Sequence, residues 1–452
     1  MPTLLVRNAA LLATMDDAGT EIRDGGLFAR DGVIEAVGPT AQLPGQADAI
    51  IDLTGHVVIP GLINTHHHLF QNLTRVVPAA QDAALFGWLR TLYPIWARLT
   101  PECIRVSTLV GLAELALSGC TTSSDHLYLF PNGIRLDDEI EAARDIGMRF
   151  HATRGAMSIG VSAGGLPPDS LIEREDAILA DFRRVIEAHH DARPHAMTRI
   201  AVAPCSPFSV SRGLMRDCAA LARGYGVGLH THLAENAEDV AYAQASFGMR
   251  PGAYAQSLGW TGPDVWHAHC VCLDHDEIDL FAATGTSVAH CPTSNMRLAS
   301  GIAPVRRRLD AGVKVGLGVD GSASNDAAHL LSEARQAMLL QRVMGSAATM
   351  TAREALRLAT RGGAAVLGRS DIGQLAPGMA ADFAAFDLSA LQLAGGAWDP
   401  LAALVFCAPL AASYTVVQGR CVVRRGGIAT VDMAPVIARH GHLVRGLING
   451  TV

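Results

Sequence analysis

Histidine and acidic residues stand together at the ends of several predicted strands. The chain has 18 histidines. Four strand ends carry them or an aspartate: Asn64-Thr-His-His-His68, His230-Thr-His-Leu-Ala-Glu235, His267-Ala-His269 and Gly318-Val-Asp-Gly321. Three neutral imidazoles and one carboxylate, with one coordination position left open, form the ligand set of a catalytic zinc ion. The pattern therefore predicts a metal centre where these strand ends meet.

The alternation of side chains along a strand limits which histidines can bind the same metal ion. Residues i and i+2 face the same side, so His66 and His68 can converge while His67 faces away. In the two later pairs, His232 and His269 lie about 6–7 Å nearer the end of the strand than the histidine before them. We therefore expect these later members to reach the rim, together with Asp320.

Eight strand-like segments must position these residues, and they alternate with amphipathic helical patterns. Near-continuous apolar strands that alternate with helices indicate a parallel sheet covered on both faces. Eight such units over about 300 residues fit a (β/α)8 barrel, whose chemistry lies at the C-terminal ends of the strands. The predicted strands are residues 57–64, 121–125, 149–153, 200–204, 228–233, 265–270, 287–290 and 313–320.

The two ends of the chain differ in texture from this middle region. Residues 1–59 and 371–452 contain short strands and turns, and neither segment is large enough to close its own core. We expect the two segments to pack together as one small β domain beside a barrel formed by residues 60–370.

Composition excludes several classes of function. Hydrophobic residues make up 49% and charged residues 17%, and the net charge is −7, so no basic surplus favours nucleic acid or an anionic membrane. No apolar run reaches the roughly 20 residues of a membrane-spanning helix, and the first residues show no signal-peptide pattern. The nine cysteines are scattered, without a C-x-x-C motif. We expect reduced thiols and a cytoplasmic enzyme.

The strand-end motifs also resemble a known family. The chain is similar to the amidohydrolase superfamily, in its cytosine/guanine deaminase and triazine hydrolase branch, and the resemblance covers nearly the whole chain. The resemblance implies an α/β fold with a distorted (β/α)8 barrel, a β-sandwich built from both termini, a small heterocyclic substrate and a homo-oligomer. It rests on Pro60-Gly-Leu-Ile-Asn-Thr-His-His-His68, His230-Thr-His-Leu-Ala-Glu-Asn236, Ala268-His-Cys-Val271, Ala289-His-Cys-Pro-Thr-Ser-Asn-Met-Arg-Leu-Ala-Ser-Gly301, Gly316-Leu-Gly-Val-Asp-Gly321 and Gly373-Gln-Leu-Ala-Pro-Gly-Met-Ala-Ala-Asp382.

The resemblance implies roles for the strand-end residues. One divalent metal, Zn²⁺ or alternatively Fe²⁺, is expected on four ligands. We expect Glu235 to protonate a ring nitrogen of the substrate and then to assist the leaving amine. His269 is expected to orient the attacking water, and Asp320 to take its proton. The four expected ligands are His66, His68, His232 and Asp320.

The number of metals follows from the position of one residue type. Some members of the superfamily hold two metals, bridged by a carboxylated lysine on the fourth strand, but residues 200–204 contain no lysine. The chain's single lysine, Lys314, is six residues before Asp320, which corresponds to about 20 Å along a strand. We therefore expect a mononuclear site.

Three residues bear on the substrate. Guanine deaminases carry a glutamine at the position of Gln71 and a tryptophan in a stretch that resembles the one around Trp88. Where they carry an arginine that grips the 6-oxo group, this chain has Cys205. The chain therefore looks most like the 8-oxoguanine deaminases, which also accept isocytosine.

Other functions remain open on the sequence. Enzymes that remove the ethylamino group of hydroxyatrazine are similar enough to be an alternative, and so are guanine deaminases. A different class of function is that of a catalytically inactive homologue that serves as a scaffold, although the intact ligand pattern and Glu235 argue against it.

Overall fold

Eight parallel strands close into a barrel in this computed structural model, which describes residues 2–451. Met1 and Val452 of the predicted terminal segments lie outside the described residues. The eighth strand pairs with the first through Leu317 and Asn64, which closes the ring. The predicted (β/α)8 barrel is thus confirmed. Its strands, numbered 1 to 8 below, are Leu62–Asn64, Cys120–Leu127, Arg149–Ala156, Thr198–Pro204, Gly228–Leu233, Val265–His269, Ser287–His290 and Val315–Leu317.

Helices cover the outer face of the barrel. The helix Ala352–Arg357 begins at a capping box in which Thr351 and Glu354 each bond the other's backbone N–H. Within residues 2–451, no helix combines the length and the apolar character needed to cross a membrane. The α-helices are Leu85–Trp96, Pro101–Leu117, Asp137–Ile146, Glu175–His189, Arg212–Tyr225, Ala237–Phe247, Pro251–Ser257, His275–Thr284, Pro292–Arg297, Val305–Asp310, Leu330–Met344, Ala352–Arg357, Gly363–Val366, Pro400–Phe406 and Met433–Asn449.

The predicted strand over residues 57–64 is in fact two strands. His56–Pro60 joins a terminal sheet, and only Leu62–Asn64 belongs to the barrel. The chain crosses between them at Gly61, where a Cβ atom would lie 2.1 Å from the hydroxyl oxygen of Thr121. Glycine is therefore required at this point because the backbone passes so close to barrel strand 2.

The predicted strand over residues 313–320 is also interrupted. Barrel strand 8 ends at Leu317, and Asp320–Gly321 pairs instead with His67–His68 in a short parallel ladder above the rim. This ladder, rather than a continuous strand, holds the aspartate beside the first histidine motif. Lys314 precedes barrel strand 8 and is exposed at the N-terminal end of the barrel.

Both chain ends contribute strands to a sandwich of two sheets, as the resemblance implied. Apolar residues of both sheets share one core, which includes Val6, Leu27, Val58 and Phe383. The four-stranded sheet has the order Val33–Pro39, Gly25–Arg30, Thr3–Ala9 and Ala49–Asp52, and the seven-stranded sheet has the order Gly427–Ile428, Arg420–Arg424, Tyr414–Val417, Phe383–Asp387, His56–Pro60, Leu11–Ala13 and Glu21–Ile22.

A buried arginine joins the barrel to this sandwich. Arg149, at the start of barrel strand 3, is fully buried and bonds both carboxylate oxygens of Asp382 at 3.1 and 3.2 Å. It also donates to the side chain of Gln418 and to the backbone oxygens of His195 and Ala196. A buried charge persists when it is paired and fully hydrogen-bonded, as this one is.

The sequence did not predict the long C-terminal helix, Met433–Asn449, because the tail was interpreted as strands only. Its buried residues Leu443 and Leu447 are spaced i, i+4 and lie on one face. This helix packs against Pro101–Leu117, on the outside of the barrel rather than on the sandwich.

Candidate active site

Four predicted ligands converge above the C-terminal end of the barrel. The Nε2 atoms of His66 and His68 lie 3.2 and 3.4 Å from Oδ1 of Asp320. The Nε2 atoms of His68 and His232 are 3.1 Å apart. These residues come from the loop after strand 1, the end of strand 5 and the ladder after strand 8, so the closed barrel brings distant parts of the sequence to one point.

Hydrogen bonds fix the tautomers of two of the histidines. Nδ1 of His68 lies 2.7 Å from the backbone oxygen of His126, and Nδ1 of His232 lies 2.7 Å from that of Cys205. A carbonyl only accepts, so each Nδ1 must carry the hydrogen and each Nε2 a lone pair. Two lone pairs that face each other at 3.1 Å repel, and a cation between them removes that repulsion.

The third histidine is fixed in the same sense by a deeper one. Nδ1 of His230 donates to the backbone oxygen of Trp266 at 2.9 Å, which leaves its Nε2 to accept from Nδ1 of His66 at 2.8 Å. Nε2 of His66 therefore carries a lone pair, and it is buried without a hydrogen-bond partner among the described residues. His230 orients a ligand, in agreement with its predicted deeper position.

These atoms fit a divalent metal. Three imidazole lone pairs and one carboxylate oxygen match the nitrogen and oxygen ligands of catalytic zinc, and imidazole also suits iron. Burial lowers the pKa of His66, His68 and His232, which keeps the three rings neutral and able to bind a cation. The donor set therefore suits a divalent metal ion.

Asp320 is held from its other side by two hydroxyl groups. Its Oδ2 accepts from Ser294 at 2.5 Å and from Ser324 at 3.1 Å. Burial raises the pKa of Asp320, but the neighbouring imidazoles, above all those of His66 and His269, outweigh it and hold the pKa well below its usual range. Asp320 is therefore a carboxylate at neutral pH.

Two of the candidate catalytic residues have a positive φ angle, which residues other than glycine rarely adopt. The φ angle is +61° at Asp320 and +66° at His269. Such residues cost about 1–3 kcal/mol each and are concentrated at functional sites, where the surrounding structure enforces them. The backbone strain thus coincides with the candidate chemistry.

Glu235 and His269 lie beside the ligand cluster. Nε2 of His269 is 3.7 Å from Glu235 and 3.8 Å from Asp320, and its Nδ1 is 2.9 Å from Oδ1 of Asn295. Burial lowers the pKa of His269, but the two carboxylates outweigh it and raise the pKa. Burial raises the pKa of Glu235 to about 7, so this carboxyl can hold a proton near neutral pH.

The sequence interpretation missed His126. Its Nε2 donates to the backbone oxygen of Ala203 at 2.8 Å, its ring stacks on His232, and its buried Nδ1 has no hydrogen-bond partner within residues 2–451. It follows the predicted strand over residues 121–125 directly, and that position at the rim was the available signal. Two overlapping sets have ligand atoms within 4.8 Å of one another: His66, His68, His126 and His232, and His66, His232, His269 and Asp320.

The three predicted substrate-binding residues line one cavity with the catalytic candidates. This cavity is narrow, about 40 Å³. Three large side chains of the wall were not predicted to contact substrate: Tyr93, Tyr128 and Phe208. The wall also includes Gln71, Trp88, Cys205, Glu235, His269 and Asp320.

The polar atoms of the three predicted substrate-binding residues differ in their hydrogen bonds. Nε1 of Trp88 donates to the backbone oxygen of Ala323 at 3.0 Å, which fixes the ring. Oε1 of Gln71 is buried without a hydrogen-bond partner in the described part of the chain, and a Cβ at Gly321 would lie 1.8 Å from it. Burial raises the pKa of Cys205 to about 12, so its thiol is neutral.

Known proteins are similar to this chain over most of its length. The amidohydrolase family model matches residues 57–422. An 8-oxoguanine deaminase from Pseudomonas aeruginosa is 47% identical over 94% of this chain and 95% of its own. A hydroxydechloroatrazine ethylaminohydrolase from Pseudomonas sp. strain ADP is 38% identical over 96% of this chain and 93% of its own.

A solved structure is similar as well. The crystal structure of an atrazine chlorohydrolase from Arthrobacter aurescens TC1 complexed with zinc has a TM-score of 0.94 with this chain at 34% identity. The match covers 98% of this chain and 100% of that one. By its family-model match, its relatives and its fold, the chain belongs to the amidohydrolase family.

Proposed function

We propose that this protein is a metal-dependent hydrolytic deaminase that converts 8-oxoguanine and water into urate and ammonia, and isocytosine into uracil. One observation carries the reaction type: the lone pairs of His66, His68 and His232 converge with the Asp320 carboxylate. The choice of 8-oxoguanine is supported by the 47% identity to an 8-oxoguanine deaminase.

The proposed cofactor is one divalent metal held by those four residues. Zn²⁺ is favoured by the zinc complex of the similar atrazine chlorohydrolase, and Fe²⁺ is the alternative. When bound, the metal acts as a Lewis acid that makes water nucleophilic at neutral pH. The absence of a lysine in barrel strand 4 supports a single metal rather than two.

Each residue around the metal site has its own role in the proposed proton transfers. Asp320 takes a proton from the attacking water, and His269 orients that water from the side of Glu235. Glu235, protonated near pH 7, gives its proton to a ring nitrogen of the substrate. A C–O bond forms at the carbon that bears the amine, and the C–N bond breaks as ammonia leaves with the proton taken from water. The remaining hydroxyl proton returns to Glu235 as the carbonyl of the product forms.

We assign recognition of the polar edge of the substrate to Gln71. Its amide offers both a donor and an acceptor, and its Oε1 has no other hydrogen-bond partner among the described residues. Trp88 supplies an apolar wall. Cys205 contributes a neutral thiol where the resemblance places an arginine in guanine deaminases, which supports a substrate other than plain guanine.

A second candidate substrate is a hydroxytriazine that carries an alkylamino group. The 38% identity to a hydroxydechloroatrazine ethylaminohydrolase favours it, and the same arrangement of acid and base would cleave its C–N bond. Guanine is a third candidate. A role as an inactive scaffold is disfavoured because the proposed ligands and Glu235 are all present.

A parallel measurement of kcat/KM on 8-oxoguanine, isocytosine, guanine and hydroxyatrazine with the zinc-loaded enzyme tests the proposal. We expect 8-oxoguanine to be the best substrate. A tenfold preference for hydroxyatrazine, about 1.4 kcal/mol in the transition state, would show that the substrate assignment is wrong. No turnover of any of the four after zinc is restored would favour the scaffold.

The Gln71→Ala variant tests the recognition edge. We expect kcat/KM for 8-oxoguanine to fall by about 10²-fold or more, because polar edge atoms of the substrate would be left unpaired in a closed pocket. Gln81→Ala, at an exposed glutamine outside the cavity, is the matched control. An unchanged rate for Gln71→Ala would mean that another residue recognises the substrate.

We also propose a homo-oligomer. Large apolar side chains are exposed on the helix Leu330–Met344 and next to it: Val343 is 79%, Met344 53% and Phe406 45% exposed. Such a patch is typical of an interaction surface. Light scattering that shows a stable monomer at micromolar concentration would contradict this proposal.

A cytoplasmic location is proposed from the thiols. All nine cysteines are free in the structure, and six of them are buried. Unpaired thiols are typical of a reducing compartment. Fractionation of source cells that places the protein outside the cytoplasm would contradict this proposal.

A further inference from the structure

A second cavity, of about 440 Å³, lies at the opposite end of the barrel from the candidate active site. Its wall includes Gly228, the first residue of barrel strand 5, and Trp266, the second residue of strand 6. The active-site residues His232 and His269 are found at the other ends of these two strands. Nothing in the proposed reaction uses this cavity.

Two histidines of its wall present hydrogen-bond donors. Nδ1 of His190 accepts from the backbone N–H of Ile200 at 3.1 Å, so the hydrogen of the neutral ring is on Nε2. Nε2 of His151 accepts from the guanidinium of Arg369 at 3.3 Å, so its hydrogen is on Nδ1. Burial lowers the pKa of both rings, which keeps them neutral.

The wall also contains a positive charge without a carboxylate partner in residues 2–451. The guanidinium of Arg199 makes one long hydrogen bond, 3.4 Å to the backbone oxygen of Ala192, and its buried Nε makes none. The other arginine of the wall, Arg223, is bonded to Asp264 at 2.9 Å. The wall thus carries a net positive charge, and His151, His190 and Arg199 offer hydrogen-bond donors.

We propose that this cavity binds a phosphate-type oxyanion. An oxyanion accepts from the ring N–H groups of His151 and His190, and its charge compensates that of Arg199. The planar guanidinium can donate two parallel hydrogen bonds to such a group. A cation would be repelled by Arg199, and a neutral ligand would leave that charge uncompensated. The volume has room for inorganic phosphate or for the phosphoryl group of a mononucleotide.

Titration calorimetry with inorganic phosphate on the zinc-loaded enzyme tests the proposal. We expect saturable binding of one phosphate per chain, at least tenfold weaker in Arg199→Met and partly retained in Arg199→Lys. Arg193→Met is the matched control, because Arg193 is exposed and bonded to Asp191, and it should bind phosphate like the wild type. An absence of saturable binding to the wild type would overturn the proposal.

The metal centre is the rival location for the anion. Binding that persists in the metal-stripped enzyme and is lost in Arg199→Met supports the second cavity. Binding that is lost on metal removal and unchanged in Arg199→Met would overturn it. Should neither Arg199 variant fold, as judged by circular dichroism, His190→Gln replaces them and is expected to weaken phosphate binding severalfold; unchanged binding would again overturn the proposal.

The same titration distinguishes the two sources of the oxyanion. Competition by guanosine 5′-monophosphate but not by guanosine, lost in Arg199→Met, would assign the cavity to a nucleotide phosphoryl group. Binding of inorganic phosphate without such competition would assign it to the free anion. Equal binding of guanosine and its monophosphate would contradict recognition of an oxyanion.

Discussion

Two buried polar clusters lie at opposite ends of the barrel, and they complete their hydrogen bonds differently. At the C-terminal end, the lone pairs of His68 and His232 face each other at 3.1 Å. At the N-terminal end, Arg149 bonds Asp382, Gln418 and two carbonyl oxygens. An unpaired buried polar group costs about 1–3 kcal/mol. Incomplete bonding thus marks the histidine cluster, where the chemistry is proposed, and complete bonding marks the Arg149 cluster, which holds the domains together.

The largest expected effect is in the histidine cluster at the C-terminal end of the barrel. Asp320→Asn should lower kcat/KM by at least about 10⁴-fold, because it removes both the anionic ligand and the proton acceptor. Steady-state kinetics and elemental analysis of bound zinc measure the two losses. The control is Asp310→Asn, an exposed aspartate far from the site. Full activity of Asp320→Asn would refute the assigned mechanism.

A smaller loss is expected from the neighbouring acid. Glu235→Gln should lower kcat by about 10²–10⁴-fold, since an amide cannot transfer the proton. Bound zinc should stay at the wild-type level because Glu235 is not a proposed ligand, which separates this variant from Asp320→Asn. The exposed neighbour Glu238 supplies the control, Glu238→Gln. Loss of zinc from Glu235→Gln would make Glu235 a ligand instead.

In the Arg149 cluster, the expected loss is in stability. Arg149→Met should lower the free energy of unfolding by about 3–5 kcal/mol, because it leaves the Asp382 carboxylate buried without its partner. Urea denaturation measures this change, while the activity of the folded fraction at low temperature should stay near that of the wild type. The double variant Arg149→Met/Asp382→Leu should recover part of the loss. A stable Arg149→Met protein without activity would contradict this prediction, because Arg149 would then serve the activity rather than the stability of the fold.

The smallest expected effect concerns a carboxyl pair beside barrel strand 2. Burial raises the pKa of Asp125 to about 7 and that of Glu139 well above its usual value. The folded state therefore holds protons that the unfolded state releases near the usual values of 3.8 and 4.5. The resulting stability is fully present below those values and is lost as the pH rises through about 7.

Glu139→Gln should weaken this pH dependence. With one carboxyl removed, the fall in unfolding free energy between pH 6 and pH 9 should shrink by about 1–2 kcal/mol, since one pKa unit corresponds to about 1.4 kcal/mol. Chemical denaturation at both pH values measures it. Glu141→Gln, at an exposed position of the same helix, should retain the wild-type fall. An identical fall in both variants would show that Glu139 does not contribute to this pH dependence.

Much of the fold and of the candidate site follows from the sequence. The observed bounds of barrel strands 5 and 7, Gly228–Leu233 and Ser287–His290, agree with the predicted ones, because the helical patterns on both sides limit where each strand can begin and end. The depth argument for His232 over His230 also agrees with the observed hydrogen bonds. Both inferences depend on local periodicity, which the sequence states directly.

What the sequence did not reveal depends on contacts between distant residues. The exchange of sheets at Gly61 is set by the closeness of Thr121, which no local pattern announces. His126 is a single histidine without a repeated motif, so its place in the cluster becomes visible only when the barrel closes. The hydrogen bonds of Ser294 and Ser324 to Asp320 likewise arise where the helix Pro292–Arg297 packs beside the turn that holds Ser324.

The exposed Lys314 has a practical consequence. Amine-reactive reagents find one target among the side chains of the whole sequence, and it lies at the end of the barrel opposite the substrate cavity. Coupling the protein to an aldehyde- or ester-activated support through this residue would orient each molecule with its active site toward the solution. A biosensor or flow reactor made in this way would present a uniform layer of enzyme, without an engineered tag.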